Sequence, residues 1–241
     1  MKTLKIVFIS VIIVLASCSL SKSKHYSSST VQYLYPDKKT IETPKIPSLA
    51  LPLRVGAAFV PGRNIYLTER DKIDLMQKVS KNFQQYDDFV KSIEIIPSAY
   101  LIKKGSFANL DQISAMYNID VIALISYDQT RFTDSSLASV TYWTIVGAYV
   151  VQGERNETHT MVDAAIYDIK SRKMLFRAPG ISHIKSRATL VNLSEQVRLD
   201  SIEGFKMASQ DLVVNLKEQL KLFQEKVEDM PQDYKIINKS N

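Results

Sequence analysis

The 241-residue chain carries 31 Lys and Arg against 25 Asp and Glu, a formal charge of +6, and a single cysteine. One cysteine excludes a disulfide-built fold, while the basic balance invites a nucleic-acid or anionic-lipid partner. The placement of the charges argues against nucleic acid, because the excess is concentrated at the N-terminal end and the body is close to neutral.

Met1-Lys2-Thr3-Leu4-Lys5 and the apolar run from Ile6 to Leu15, broken only by Ser10, form the basic and hydrophobic regions of a secretory signal. The run is too short to cross a ~30 Å hydrocarbon core as a helix. It ends in Leu15-Ala16-Ser17-Cys18, an apolar residue and two small ones before the cysteine. That pattern resembles a bacterial lipobox, whose cysteine is acylated and becomes the first residue of the mature protein. Exported proteins keep cysteines in pairs, so an unpaired one here is explained by lipid attachment at Cys18. Ser19 follows, with no aspartate at that position. By the sorting tendency of enterobacterial lipoproteins this resembles delivery to the outer membrane, facing the periplasm.

Loss of Lys2 and Lys5 with the leader lowers the charge from +6 to +4. Residues 18–45 hold five lysines against Asp37 and Glu42, which accounts for three of those charges and leaves the body from Ile46 at +1. Residues 18–45, rich in serine, are expected to be a flexible tether. Within them Val31-Gln32-Tyr33-Leu34-Tyr35-Pro36 is less linker-like and is expected to dock back on the body; the alternative is a partner-binding peptide.

The body, 46–230, has the length of one domain. Arg54 to Val60 reads as a strand covered on both faces. Thr68 caps a helix with Asp71 three residues on, and Ile73, Met76, Val79 and Phe83 line one helical face. Ser92 to Leu101 reads as a strand whose Pro97 implies an edge or a bulge. Asn109 is expected to cap a short helix bearing Leu110, Ile113 and Met116 and ending near Asn118. Val121 to Tyr127 is a third buried strand. This β-α-β-α-β start predicts an α/β fold with a mixed sheet.

Tyr142 to Val151 is apolar on both faces and fits a central strand; the alternative is a transmembrane β-strand contributed to an oligomer. In Thr158 to Ile169 the alternation buries Thr160, Val162, Ala164 and Ile166 and sends His159, Met161, Asp163 and Tyr167 to solvent. Lys170 to Lys173 turns into Met174-Leu175-Phe176, completing an antiparallel meander. Phe205, Ala208, Leu212, Leu216, Leu220, Phe223 and Val227 then mark one long helix packed across the sheet, or, alternatively, a coiled-coil seam. Residues 231–241 read as a polar tail.

Catalytic and cofactor signals are missing from the sequence. The seven glycines form no nucleotide-binding fingerprint, and no HExxH or paired-histidine metal spacing occurs. His159 and Asp163, four apart, are expected to be a solvent-facing pair and not an acid/base or metal site. His183, with Lys185 and Arg187, is expected in a solvated basic loop, with contact to an anionic polymer as the alternative. No catalytic, cofactor or metal residue is expected, and Cys18 is the one residue assigned a chemistry.

Leu51 to Pro61, Ile95 to Leu101, Phe107 to Gln129, Thr141 to Gly180 and Asn192 to Leu212, together with Tyr33-Leu34-Tyr35-Pro36, resemble the rhombotarget lipoprotein family of Gram-negative envelopes. The resemblance implies an envelope lipoprotein and supplies no catalytic residues. Some members end in a glycine-rich membrane-spanning signal for a rhomboid-like protease. Tyr234 to Asn241 is polar and departs from that pattern, so rhomboid processing does not carry over. At fold level the chain is similar to the curli-secretion-channel and penicillin-binding-protein-activator lipoprotein domains. The expectation is a non-enzymatic lipoprotein that binds or regulates another envelope protein, with membrane contact through Cys18. The alternatives are an oligomeric secretion or assembly subunit of the curli-channel type and a cell-wall-acting enzyme.

Overall fold

The computed structural model describes residues 22–36, 43–62, 66–133, 157–186 and 193–238. The chain runs β1 (Lys22–Ser27), α1 (Thr30–Leu34), β2 (Ser48–Leu51), β3 (Leu53–Phe59), α2 (Glu69–Phe83), β4 (Val90–Ile96), α3 (Ser106–Tyr117), β5 (Val121–Thr133), β6 (Glu157–Asp168), β7 (Met174–Lys185), α4 (Leu193–Asp229) and β8 (Lys235–Asn238). Cys18 with its lipobox, and the apolar run Tyr142–Val151, lie outside the described residues.

A six-stranded mixed sheet in the order β4-β3-β5-β6-β7, with β1 added to β5, forms the centre of a single α/β domain. β3 is parallel to both β4 and β5, which explains its near-continuous apolar sequence: helices cover both of its faces. The β5-β6-β7 meander is antiparallel. One face buries Ala57, Phe59, Val121, Ile125, Val162, Ala164 and Ala178 beneath α2 and α4. The other buries Ala58, Ile122, Leu124, Ala165 and Tyr167 beneath α1 and α3.

Local chemistry fixes the helices where the sequence predicts them. The Thr68 side chain accepts from the Asp71 N–H at 3.2 Å, and the Asp71 carboxylate accepts from the Thr68 N–H at 2.8 Å, a complete capping box for α2. Met76, Val79 and Phe83 are buried along its inner face, joined by Leu75. All seven residues expected along the inner stripe of α4 are buried. The 37 residues of this helix lie across β6 and β7. The Asp211 carboxylate accepts from the Ile181 N–H at 2.9 Å and Asn215 donates to the Pro179 carbonyl at 2.7 Å, so α4 also occupies hydrogen-bonding groups of the last strand of the sheet.

Several expectations need correction. The segment read as tether is part of the fold from Lys22 to Pro36. β5 extends eight residues past Ile125, the partner of the last residue of β3, and β1 pairs antiparallel with six of them, from Lys22 opposite Thr133 to Ser27 opposite Asp128. A serine-rich strand cannot hold itself together by apolar burial, but edge pairing uses backbone groups and is indifferent to side-chain hydrophobicity. Ser28 then bridges to Gly62, where any Cβ would fall 2.3 Å from the Ser28 Cβ, so only glycine allows the approach. The Tyr33–Pro36 island docks as expected: Tyr33 and Leu34 are buried, and the Tyr33 hydroxyl donates to Asn109 Oδ1 at 2.7 Å.

Asn109 is not a helix cap. α3 begins a turn earlier, at Ser106, and the buried Asn109 side chain accepts from the Ile102 N–H and donates to the Tyr100 carbonyl, closing the preceding loop. Met116 is exposed, and Asn118 ends the helix in the left-handed region, at φ 54°. The strand read through Leu101 stops at Ile96, because Pro97 removes a ladder donor and opens a 3₁₀ turn. The polar tail is folded through Asn238: Tyr234 is buried on Phe223, and β8 pairs in parallel with β2.

Candidate functional site

Directly paired residues in an antiparallel ladder share a face. The registers of β1, β5, β6 and β7 place His25, Thr130, His159 and His183 in one row across four strands. The three histidines of the chain therefore fall on one line of one sheet face, although they are far apart in sequence. Glu157 lies two residues before His159 on β6, on the same face, opposite Lys185 of β7.

At the centre of this row the His159 and His183 rings stack, with centroids 4.2 Å apart and planes 12° from parallel. The fully buried Glu157 carboxylate lies beside both: its Oε2 is 3.5 Å from His159 Nε2 and 3.5 Å from His183 Nε2. Its other oxygen, Oε1, is 3.2 Å from Lys185 Nζ. Burial, with the neighbouring His183 charge second, pushes the His159 pKa down; Glu157 pulls the other way. The opposed effects follow from geometry, since two face-to-face imidazoles resist carrying a proton each, while a buried carboxylate favours one imidazolium.

Two ion pairs flank the cluster. His25 Nε2 meets Asp128 Oδ1 at 2.8 Å, and Arg177 Nε donates to Asp163 Oδ1 at 2.6 Å. Burial raises the pKa of both carboxyls; their cationic partners oppose this without cancelling it. On the opposite face of this end of the sheet the layer beneath α4 is also polar. Gln129 donates to Thr160 Oγ1 at 2.8 Å, Arg131 to Ser201 Oγ at 2.8 Å and Ser182 to the Gly204 carbonyl at 2.7 Å.

The expectation that His159 and Asp163 form a solvent-facing pair is overturned. Both are buried, along with every other residue of β6, because the second face of this strand is covered too. Nor are they partners of one another: His159 is engaged with His183 and Glu157, and Asp163 with Arg177. His183 is not in a loop; it is a β7 residue paired with His159. The sequence signal for Glu157 is weak: Glu-x-His on a strand gives a same-face pair, but the third member comes from a strand 26 positions on. Each of Glu157, His159 and His183 offers one ligand atom, and the three atoms lie within 4.8 Å of one another.

An apolar cavity of about 60 Å³ lies between α2, α4 and the sheet, lined by residues including Leu53, Val79, Phe89, Leu216 and Phe223. It is well below the ~300 Å³ of the smallest usual ligand pockets and is a packing void. Among the described residues, no helix is long and apolar enough to cross a membrane.

No family model matches the chain, and no curated protein matches it. Among solved structures, the chain is similar to PelC from Paraburkholderia phytofirmans, a dodecamer, at 12% identity over 80% of this chain and 96% of that one, with a TM-score of 0.29. A neuraminyllactose-binding hemagglutinin homolog from Helicobacter pylori aligns at 11% identity over 79% and 96% of the two chains, TM-score 0.41. Lipoprotein GNA1162 from Neisseria meningitidis aligns at 10% identity over 66% and 99%, TM-score 0.25. At these similarities none of the three carries a functional assignment to this chain.

Proposed function

We propose that this chain is a lipid-anchored lipoprotein of a Gram-negative envelope that acts by binding another envelope protein and not by catalysis. Cys18 attaches it to the outer membrane, and the α/β domain faces the periplasm. The observation that carries the reading is Leu15-Ala16-Ser17-Cys18 behind a basic start and a short apolar run. The resemblance to rhombotarget lipoproteins supports the same compartment. A lipoprotein cysteine bears several acyl chains, and at ~0.8 kcal/mol per buried methylene such an anchor does not release spontaneously.

The start of β1 adds a constraint on how the domain is held. Lys22 is already paired in the sheet, four residues after Cys18. Four residues span at most about 14 Å when fully extended. The anchor therefore holds the domain close to the headgroups, by the end of the sheet that carries Thr133, Glu157 and Lys185.

Fractionation of cells expressing the wild type and Cys18→Ser tests the anchor. Wild-type protein is expected in outer-membrane fractions and to incorporate an alkyne-palmitate label; Cys18→Ser is expected to lose the label and leave the membrane. Retention of unlabelled Cys18→Ser in the membrane would refute the reading. In-cell crosslinking of the wild type should give a discrete protein adduct that Cys18→Ser does not form, and the absence of any adduct would remove the partner.

A further inference from the structure

We infer that Glu157, His159 and His183 form a binding site for one divalent transition-metal ion of the zinc class. Two imidazoles and one carboxylate make a borderline donor set, which suits zinc, cobalt or copper and not the all-oxygen preference of calcium or magnesium. Three protein ligands leave a fourth position open to water, a common arrangement in tetrahedral zinc sites. At metal–ligand distances of 2.0–2.1 Å, tetrahedral ligand atoms lie roughly 3.3–3.4 Å apart. Glu157 Oε2 is 3.5 Å from each histidine Nε2, so two of the three ligand spacings are already met within about 0.2 Å.

The scaffold is suited to hold such a site. Glu157 and His159 are same-face neighbours on a fully buried central strand, and His183 is the direct cross-strand partner of His159. All three are positioned by ladder hydrogen bonds and not by loops. The remaining adjustment is in the rings. Stacked at 12°, their lone pairs run side by side, and convergence on one ion requires a ring to turn. His183, with 34% of its side chain exposed, is the ring with room to do so, and the ion enters from its side.

Lys185 makes the inference specific. Its ammonium lies 3.2 Å from Glu157 Oε1 and occupies the carboxylate that the ion needs. With nearly half of its side chain exposed, it can swing into solvent when a dication arrives. Binding therefore exchanges one cation for another. Removing the lysine should strengthen metal binding, whereas a merely structural role for the cluster predicts no effect on metal at all.

The test uses the full-length protein in detergent, titrated with Zn²⁺ alone by calorimetry and with Co²⁺ as an optical probe. The expected result is one Zn²⁺ per chain and Co²⁺ visible bands of tetrahedral intensity. Glu157→Gln and His183→Ala should each weaken Zn²⁺ binding at least tenfold, and Lys185→Ala should tighten it severalfold. His25→Ala, altering the remote histidine of the row, should leave affinity unchanged. His183→Ala at the partly exposed position keeps the test valid should Glu157→Gln fail to fold, and circular dichroism identifies that failure. No bound Zn²⁺ in the wild type, equal affinity in His183→Ala, or an equal loss in His25→Ala would each overturn the site.

Discussion

Tyr33 shows how a single side chain redraws a domain boundary. Its hydroxyl donates to Asn109, 76 residues away, in a buried hydrogen bond that Asn109 combines with two contacts to its own preceding loop. Burial raises the Tyr33 pKa, so the group stays a neutral donor throughout the accessible range. Tyr33→Phe removes the donor and leaves part of a buried acceptor unfilled, at a cost of about 1–2 kcal/mol. Urea denaturation of the purified protein should show that loss; an unchanged midpoint would mean that the segment is not docked. Asp163 gives a pH-dependent counterpart. Its pKa is raised above the ordinary 3.8 by burial in spite of Arg177. The folded state therefore holds a proton that the unfolded state has released, across the window from about 3.8 up to the raised value. Within that window this carboxyl contributes stability that is lost as pH rises. Asp163→Asn should flatten this part of the melting-temperature profile, and a profile unchanged by the substitution would contradict the assignment. Both residues mark a limit of sequence reading. Tyr33 was legible because aromatic residues stand out in a serine-rich stretch. The burial of Asp163 and His159 is not legible, because alternation along one strand identifies two faces without saying whether the second is covered.

At the scale of elements, the most demanding contact is between β7 and α4. A Cβ at Gly180 would lie 2.0 Å from the Ala208 carbonyl oxygen and 2.4 Å from the Leu212 nitrogen. Both are helix backbone atoms, so no rotamer change relieves the clash and the helix must move off the sheet. Gly180→Ala should therefore destabilise the fold by about 3 kcal/mol or more. Wild-type stability in Gly180→Ala would show that α4 does not approach β7 this closely. Elements that rest on local chemistry were legible: the Thr68/Asp71 capping box, the apolar stripe of α4 and the continuous hydrophobicity of β3 each leave a signature within one window. β1, β8 and the histidine row were not, because each depends on what lies opposite. β1 exists because β5 outruns β3, and His159 meets His183 because β6 and β7 pair in one register.

At the scale of the whole molecule, the proposed lipid attachment and the fold combine into a prediction about orientation. With a 28-residue tether a domain anchored at Cys18 could stand far from the bilayer; with β1 starting at Lys22, the proposed anchor would hold it close. Along β5 the sheet extends from Thr133 at the anchored end to Val121, 12 steps or about 40 Å away. Lys24 on β1 is near the anchored end, and Lys170, in the β6–β7 turn, is at the other. Cys18 is the only native cysteine and, on the proposed reading, is blocked by acylation, so Lys24→Cys and Lys170→Cys would each accept one fluorophore. The most direct measurement is quenching of these two probes by headgroup nitroxide lipids in reconstituted membranes. Strong quenching at position 24, little at position 170, and loss of both when Cys18 is replaced by serine is the predicted result. Equal weak quenching at both positions, or quenching that survives Cys18→Ser, would contradict an anchor at Cys18 that holds the domain directly on the bilayer.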